Sequence, residues 1–166
     1  MDAVQACFAA SYRRLVGQLY AVCGDLAEAE DVVAEAFVRA VAHRRTFDAA
    51  ENPEAWLRTV AVNLARSRFR RRKLGERLHL VARGPQASRH PEMSADRLAL
   101  VSAMAALPFT QREALALHYF ADLPIHEVAA AVGAPVGTVK ARLSRGRAAL
   151  ALALGSPDQV KEDDHA

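Results

Sequence analysis

Apolar residues in this 166-residue chain recur at the spacing of an α-helix and almost nowhere at that of a strand, which narrows the fold to packed helices. Phe8, Tyr12, Leu15, Leu19 and Val22 make one stripe, and Ala29, Val33, Ala36, Phe37 and Ala40 make a second. Trp56, Leu57, Val60, Ala61 and Leu64 make a third, while Ile125, Val128, Ala129 and Val132 keep the i, i+3, i+4, i+7 rule. Period-two runs of β-branched and aromatic residues are missing, so the expected fold class is all-α. Aromatic residues are only 6% of the chain, so its cores must come from aliphatic helix faces.

Punctuation between the stripes divides the chain. A first helix is expected from about Asp2 to Cys23, ended by Gly24, with Asp25 and Glu28 spaced as a capping box for the next. TFDAAENPEAW (46–56) reads as a loop that ends at an Asn52 N-cap and Pro53 in the first helical turn. Trp56 falls in register with the core side of the helix that follows. Periodicity then dissolves over LGERLHLVARGPQASRHPEMSA, which reads as a flexible interdomain linker. Beyond it, DRLALVSAMAAL stops at Pro108, and Thr110 with Glu113 repeats the capping-box spacing. The expected organisation is a domain over 1–73, a linker over 74–95, a second small helical domain over 96–154, and an acidic tail over 155–166.

Charge is segregated along the chain. Residues 25–38 hold five acids and no base, whereas RSRFRRRK (66–73) holds six bases and no acid. Two charged partners, or two solvated faces, would each account for that pattern. Cys7 and Cys23, sixteen residues apart on one helix, would lie about 24 Å apart, too far for a disulfide. They are expected to be buried thiols of a reducing cytoplasm. The opening MDAVQACFAASYRR has neither the basic start nor the long apolar run of a secretory leader, and no stretch is apolar enough for membrane insertion. Phosphate loops, HExxH and cysteine clusters are missing, and the six histidines lack metal-ligand spacing. An enzyme is not expected, nor a cofactor, nor a metal.

The positive signal lies at the other end. PIHEVAAAV, a turn at Gly133, and PVGTVKARLSRGRAAL form the pattern of a helix-turn-helix. Apolar Ile125, Val128, Ala129 and Val132 would pack on Val136, Val139 and Leu143. That leaves Thr138, Lys140, Ala141, Ser144 and Arg145 on the outward flank of the second helix, where long cations reach phosphates and base edges. Arg142 lies toward the side, where either DNA or an intramolecular ion pair would suit it.

ALPFTQREALALHYFADLPIHEVAAAVGAPVGTVKARLSRGRAAL resembles region 4 of a bacterial RNA polymerase sigma factor. GDLAEAEDVVAEAFVRA, followed by FDAAENPEAWLRTVAVNLARSRFRRRK, resembles region 2 of the same family. Both motifs occur in family order with a linker between them, so the chain is similar to the extracytoplasmic-function (ECF) class.

The resemblance implies binding to core RNA polymerase through the β′ coiled coil, by Asp31 and Glu35 with Glu28 nearby. It implies capture of a melted −10 element by Asn63, with Arg58, Arg66 and Arg70 following the strand's phosphates. It implies reading of a −35 duplex by Lys140 and Arg145, with Thr138 on a phosphate, Ser144 beside them and Arg112 on the DNA backbone. Promoter DNA and the polymerase are thus the expected partners, an anti-sigma factor is a further partner the family allows, and the cytoplasm is the expected location. Five positions depart from common family usage: Ala34 in the acidic helix, His118, Pro124, and the small pair Ala141 and Ser144. The alternative is a helix-turn-helix regulator that finds DNA unaided, with residues 1–95 serving as a sensor or dimerisation domain. The acidic helix followed by a basic one in that half favours the sigma reading.

Overall fold

The computed structural model describes residues 2–78 and 94–155. Most of the linker and the acidic tail therefore lie outside the described residues. The first domain holds α1 (Ala3–Cys23), α2 (Leu26–Ala42), α3 (Arg44–Ala49) and α4 (Pro53–Arg77). Asp2 caps α1 by accepting from the Val4 amide at 3.0 Å, and Asn52 caps α4 by accepting from the Ala55 amide at 3.1 Å. Helices α1, α2 and α4 pack together around Leu15, Leu19, Val33, Ala36, Leu57 and Ala61, all essentially inaccessible. Trp56 meets buried Phe47 edge-on, with ring centroids 5.6 Å apart, and so anchors the start of α4 to α3.

The second domain holds α5 (Ala95–Ala105), α6 (Phe109–Leu115) running on into a π-helical turn (Ala116–Phe120), α7 (Ile125–Val132) and α8 (Val136–Leu154). Gly133 ends α7 in the left-handed conformation at φ 68°, which turns the chain into α8 and sets the angle of the helix-turn-helix. Val128, Val132, Val139 and Leu143 are buried between the two helices, while Val136 stays 40% exposed. Gly146 faces α6 so closely that a Cβ there would stand 2.7 Å from Leu115 Cδ1.

Three local expectations change. The segment read as a loop before Pro53 begins inside α3, because His43 opens a short turn that sinks Phe47 into the core. Helix α4 continues through Leu74–Arg77, so the start of the expected linker is helical. Neither capping box closes. Asp25 caps α2 through the Ala27 amide, but Glu28 turns to Arg72; α6 starts after Pro108 without a side-chain cap, and Glu113 turns to Arg66. In both cases a charged partner on another helix outcompetes a local amide.

The two domains pack on one another. Helices α5 and α6 and the π turn lie on α1, and α7 lies along α4, so a single apolar core runs through both halves.

Candidate nucleic-acid interface

The outward flank of α8 presents Thr138, Lys140, Ser144 and Arg145 to solvent, with Ala141 half-buried beside them. Among the described residues neither Lys140 nor Arg145 has an acidic partner, so both charges are available to an outside anion. Pro135 precedes α8 and offers no side-chain cap, which leaves the first amides of that helix directed outward beside Thr138. Arg147 donates to the Tyr119 hydroxyl at 3.3 Å. His118, one of the departures from family usage, donates from Nδ1 to the Leu123 carbonyl at 2.8 Å and fastens the turn that leads into α7. Sequence reasoning gave His118 no role. The signal lies in its spacing: five residues separate it from a carbonyl that Pro124 leaves at the start of α7.

The second face runs along α4. Asn63 and Arg70 are exposed and Arg66 is half-buried, one helical turn apart on one line. Arg66 is heavily engaged. Its Nη2 donates to both oxygens of Glu113, at 3.1 and 2.9 Å, and to the Val132 carbonyl at 3.4 Å, while Nη1 donates to Asn63 Oδ1 at 3.2 Å. Glu113 is only 1% exposed, and burial pushes its carboxyl above the ordinary range although Arg66, Arg142 and Arg70 all pull it down. Arg142 thus bears on an acid of its own chain.

Two arginines expected on DNA are buried instead. Arg58 is 6% exposed and donates from Nε to Gln18 Oε1 at 3.0 Å, tying α4 to α1. Its place in the register follows the core side of α4 rather than the line of Asn63, Arg66 and Arg70. Arg112 is also 6% exposed. Its guanidinium donates to the Val22 carbonyl in the last turn of α1 at 3.1 Å and to Leu107 at 3.4 Å, and it lies 5.5–5.6 Å from the rings of Phe109 and Phe69. Those rings stack with centroids 4.9 Å apart, one from each domain. A cation on the carbonyl end of a helix is favourably placed, which offsets part of its desolvation.

The acidic helix is not free-standing either. Glu28 is nearly buried and bonded to Arg72 at 2.5 Å, Glu35 takes Arg39 at 3.4 Å and Arg68 at 3.3 Å, and Asp31 lies 3.7 Å from Arg68. Asp31 remains the open acid, with its side chain 70% exposed. Charges that look segregated along the sequence therefore meet in space, because α2 packs on α4. Cys7 is half-buried and Cys23 buried, both as free thiols, and burial raises the pKa of each. Among the described residues no helix is long and apolar enough to cross a membrane.

A helical domain with an acidic and a basic face, joined to a helix-turn-helix domain with free cations, defines a two-part DNA-binding transcription protein. The model for sigma-70 region 2 matches residues 7–74, and that for sigma-70 region 4 matches residues 97–150. The chain is 31% identical over 154 residues to the ECF RNA polymerase sigma factor SigW of Bacillus subtilis, covering 84% of this chain and 82% of that one. It is 34% identical over 137 residues to the ECF sigma factor EcfG of Rhodopseudomonas palustris, covering 79% and 74%. Among solved structures, it resembles the sigma factor RpoE of Bartonella quintana in complex with the anti-sigma factor NepR. That likeness has a TM-score of 0.76 at 25% identity, over 91% of this chain and 96% of that one. CnrH in complex with the cytosolic domain of CnrY gives 0.66 at 26% identity, over 92% and 88%. The chain belongs to the ECF family of RNA polymerase sigma factors, which direct the polymerase to promoters.

Proposed function

We propose a division of promoter contacts by residue. Lys140 and Arg145 meet base edges or adjacent phosphates of the −35 duplex, Thr138 meets a phosphate at the start of α8, and Ser144 permits close approach. Asn63, Arg66 and Arg70 hold the melted −10 strand along α4, a basic groove that needs no duplex to read. Arg58 serves this face indirectly, as the buried tie that orients α4. Arg112 contacts the DNA backbone only once the second domain leaves α1. Asp31 and Glu35 dock on the basic partner presented by core polymerase, and Glu28 supports them from the α2–α4 junction. The work is recruitment and strand capture without covalent chemistry, in the cytoplasm. RpoE, captured with the anti-sigma factor NepR, supports a partner of that kind here.

The observation that carries this reading is the pair of exposed cations, Lys140 and Arg145, without an acidic partner among the described residues, on the outward flank of the helix-turn-helix. Run-off transcription with core polymerase on a promoter library tests it. Protein with Lys140→Ala and Arg145→Ala should bind core as the parent does and lose −35-dependent transcripts. Equal loss of both activities would refute the assignment.

A further inference from the structure

Two residues assigned above to promoter DNA, Arg66 and Arg112, are committed to the contact between the domains. Arg66 holds Glu113 and the Val132 carbonyl of the second domain. Arg112 is plugged into the end of α1, and the side-chain oxygen of Asn63 is taken up by Arg66. Arg66 from the first domain donates to both oxygens of buried Glu113 in the second, so a carboxylate of this chain occupies an anion position on Arg66, and Arg70 and Arg142 also favour its charge. The Phe69–Phe109 stack seals the same seam.

We propose that this seam is an autoinhibitory latch, in which Glu113 fills on Arg66 the place a −10 phosphate would take, so that closure and strand capture exclude one another. The inference rests on the assignment of Asn63, Arg66 and Arg70 to the melted strand. Competition follows from occupancy: the fork of Arg66 cannot hold the Glu113 carboxylate and a phosphate together. Apparent affinity for single-stranded DNA is then reduced by the fraction of molecules that are open. Asp31, Lys140 and Arg145 stay exposed in the closed form, so polymerase and duplex can engage before the latch parts.

Phe69→Ala and Glu113→Ala, singly and together in the full chain, test the latch; neither residue is assigned to DNA, and Phe69→Ala leaves the charge unchanged. Small-angle scattering reads compactness, and anisotropy of a labelled random-sequence single-stranded DNA, with excess duplex competitor, reads strand capture. Circular dichroism checks that helix content is kept. The parent should be compact and expand when the single strand is added. The double variant should be expanded and bind about tenfold tighter, as expected for a parent that is open about a tenth of the time. A parent already extended, variants that stay compact, or an expanded variant with unchanged affinity would each overturn the latch. Adding Asn63→Ala and Arg70→Ala to the expanded variant separates the two ideas. If the gained affinity survives those changes, Asn63 and Arg70 do not hold the strand while the latch on Arg66 stands; if it is lost, both hold.

Discussion

The carboxylate of Glu28 and the guanidinium of Arg72, forty-four residues apart in sequence, meet at 2.5 Å and join the acidic helix to the end of the basic one. Glu28 is nearly buried there and its second oxygen has no partner, so the pair serves packing more than display. Glu28→Ala should lower unfolding stability by about 1–2 kcal/mol, since a charged hydrogen bond is lost from a nearly buried site. Arg72→Ala should cost at least as much as Glu28→Ala, because it strands the nearly buried Glu28 carboxylate, whereas the half-exposed Arg72 can be solvated. Urea denaturation of both singles and the double variant gives the coupling directly.

Asp31 offers the opposite case. Its side chain is 70% exposed and its ion pair with Arg68 is long, so Asp31→Arg should change stability by about 0.5 kcal/mol or less. The same substitution should weaken association with core polymerase several-fold, with the loss largest at low salt. Glu35→Arg should do both kinds of damage, because Glu35 also holds Arg39 and Arg68. Thermal melting beside a core pull-down distinguishes the two positions.

Lys140 and Arg145 should be separable by salt. If one of them holds only a phosphate, its loss should lower the steepness of the salt dependence by about one. If the other reads a base edge, its loss should cost about 1–3 kcal/mol and relax preference at one promoter position. Titration of polymerase-bound protein on −35 variants at several salt concentrations resolves the assignment.

Glu113 carries a pH signature. Burial holds its folded pKa above the ordinary 4.5, so the folded chain takes up a proton there before the unfolded chain does. Its contribution to stability is therefore complete below pH 4.5 and is lost as pH rises through the raised value. The groups facing it are Arg66 and Arg70 from α4 and Arg142 from α8, all of which stay charged across that window. Acidification from neutrality toward 4.5 should stabilise the parent relative to Glu113→Gln, measured as the difference between their denaturation midpoints. A difference that runs the other way would show that the Arg66 pairing outweighs desolvation.

Most helix boundaries could be read from punctuation because they depend on local chemistry: Asn52-Pro53 starts α4, and Gly133 ends α7 with no help from distant residues. Helix α3 escaped because six residues carry a single apolar signal, Phe47. The capping boxes misled for a different reason. Their glutamates, Glu28 and Glu113, were claimed by arginines 44 and 47 residues away, and spacing cannot report such a partner. The exposed flank of α8 was legible because it needs only helical register. The fates of Arg58 and Arg112 were not, since arginine suits a phosphate and a buried carbonyl equally well and only tertiary packing decides.

The last turn of α1, Tyr20 to Cys23, is buried where Arg112 of the second domain meets Val22, and beside it Phe69 faces Phe109 of that domain. Parting the domains wets that greasy surface, which gives the transition a positive heat capacity. Its equilibrium is then curved in temperature, with a warm and a cold side, and chilling as well as heating shifts molecules toward the parted form.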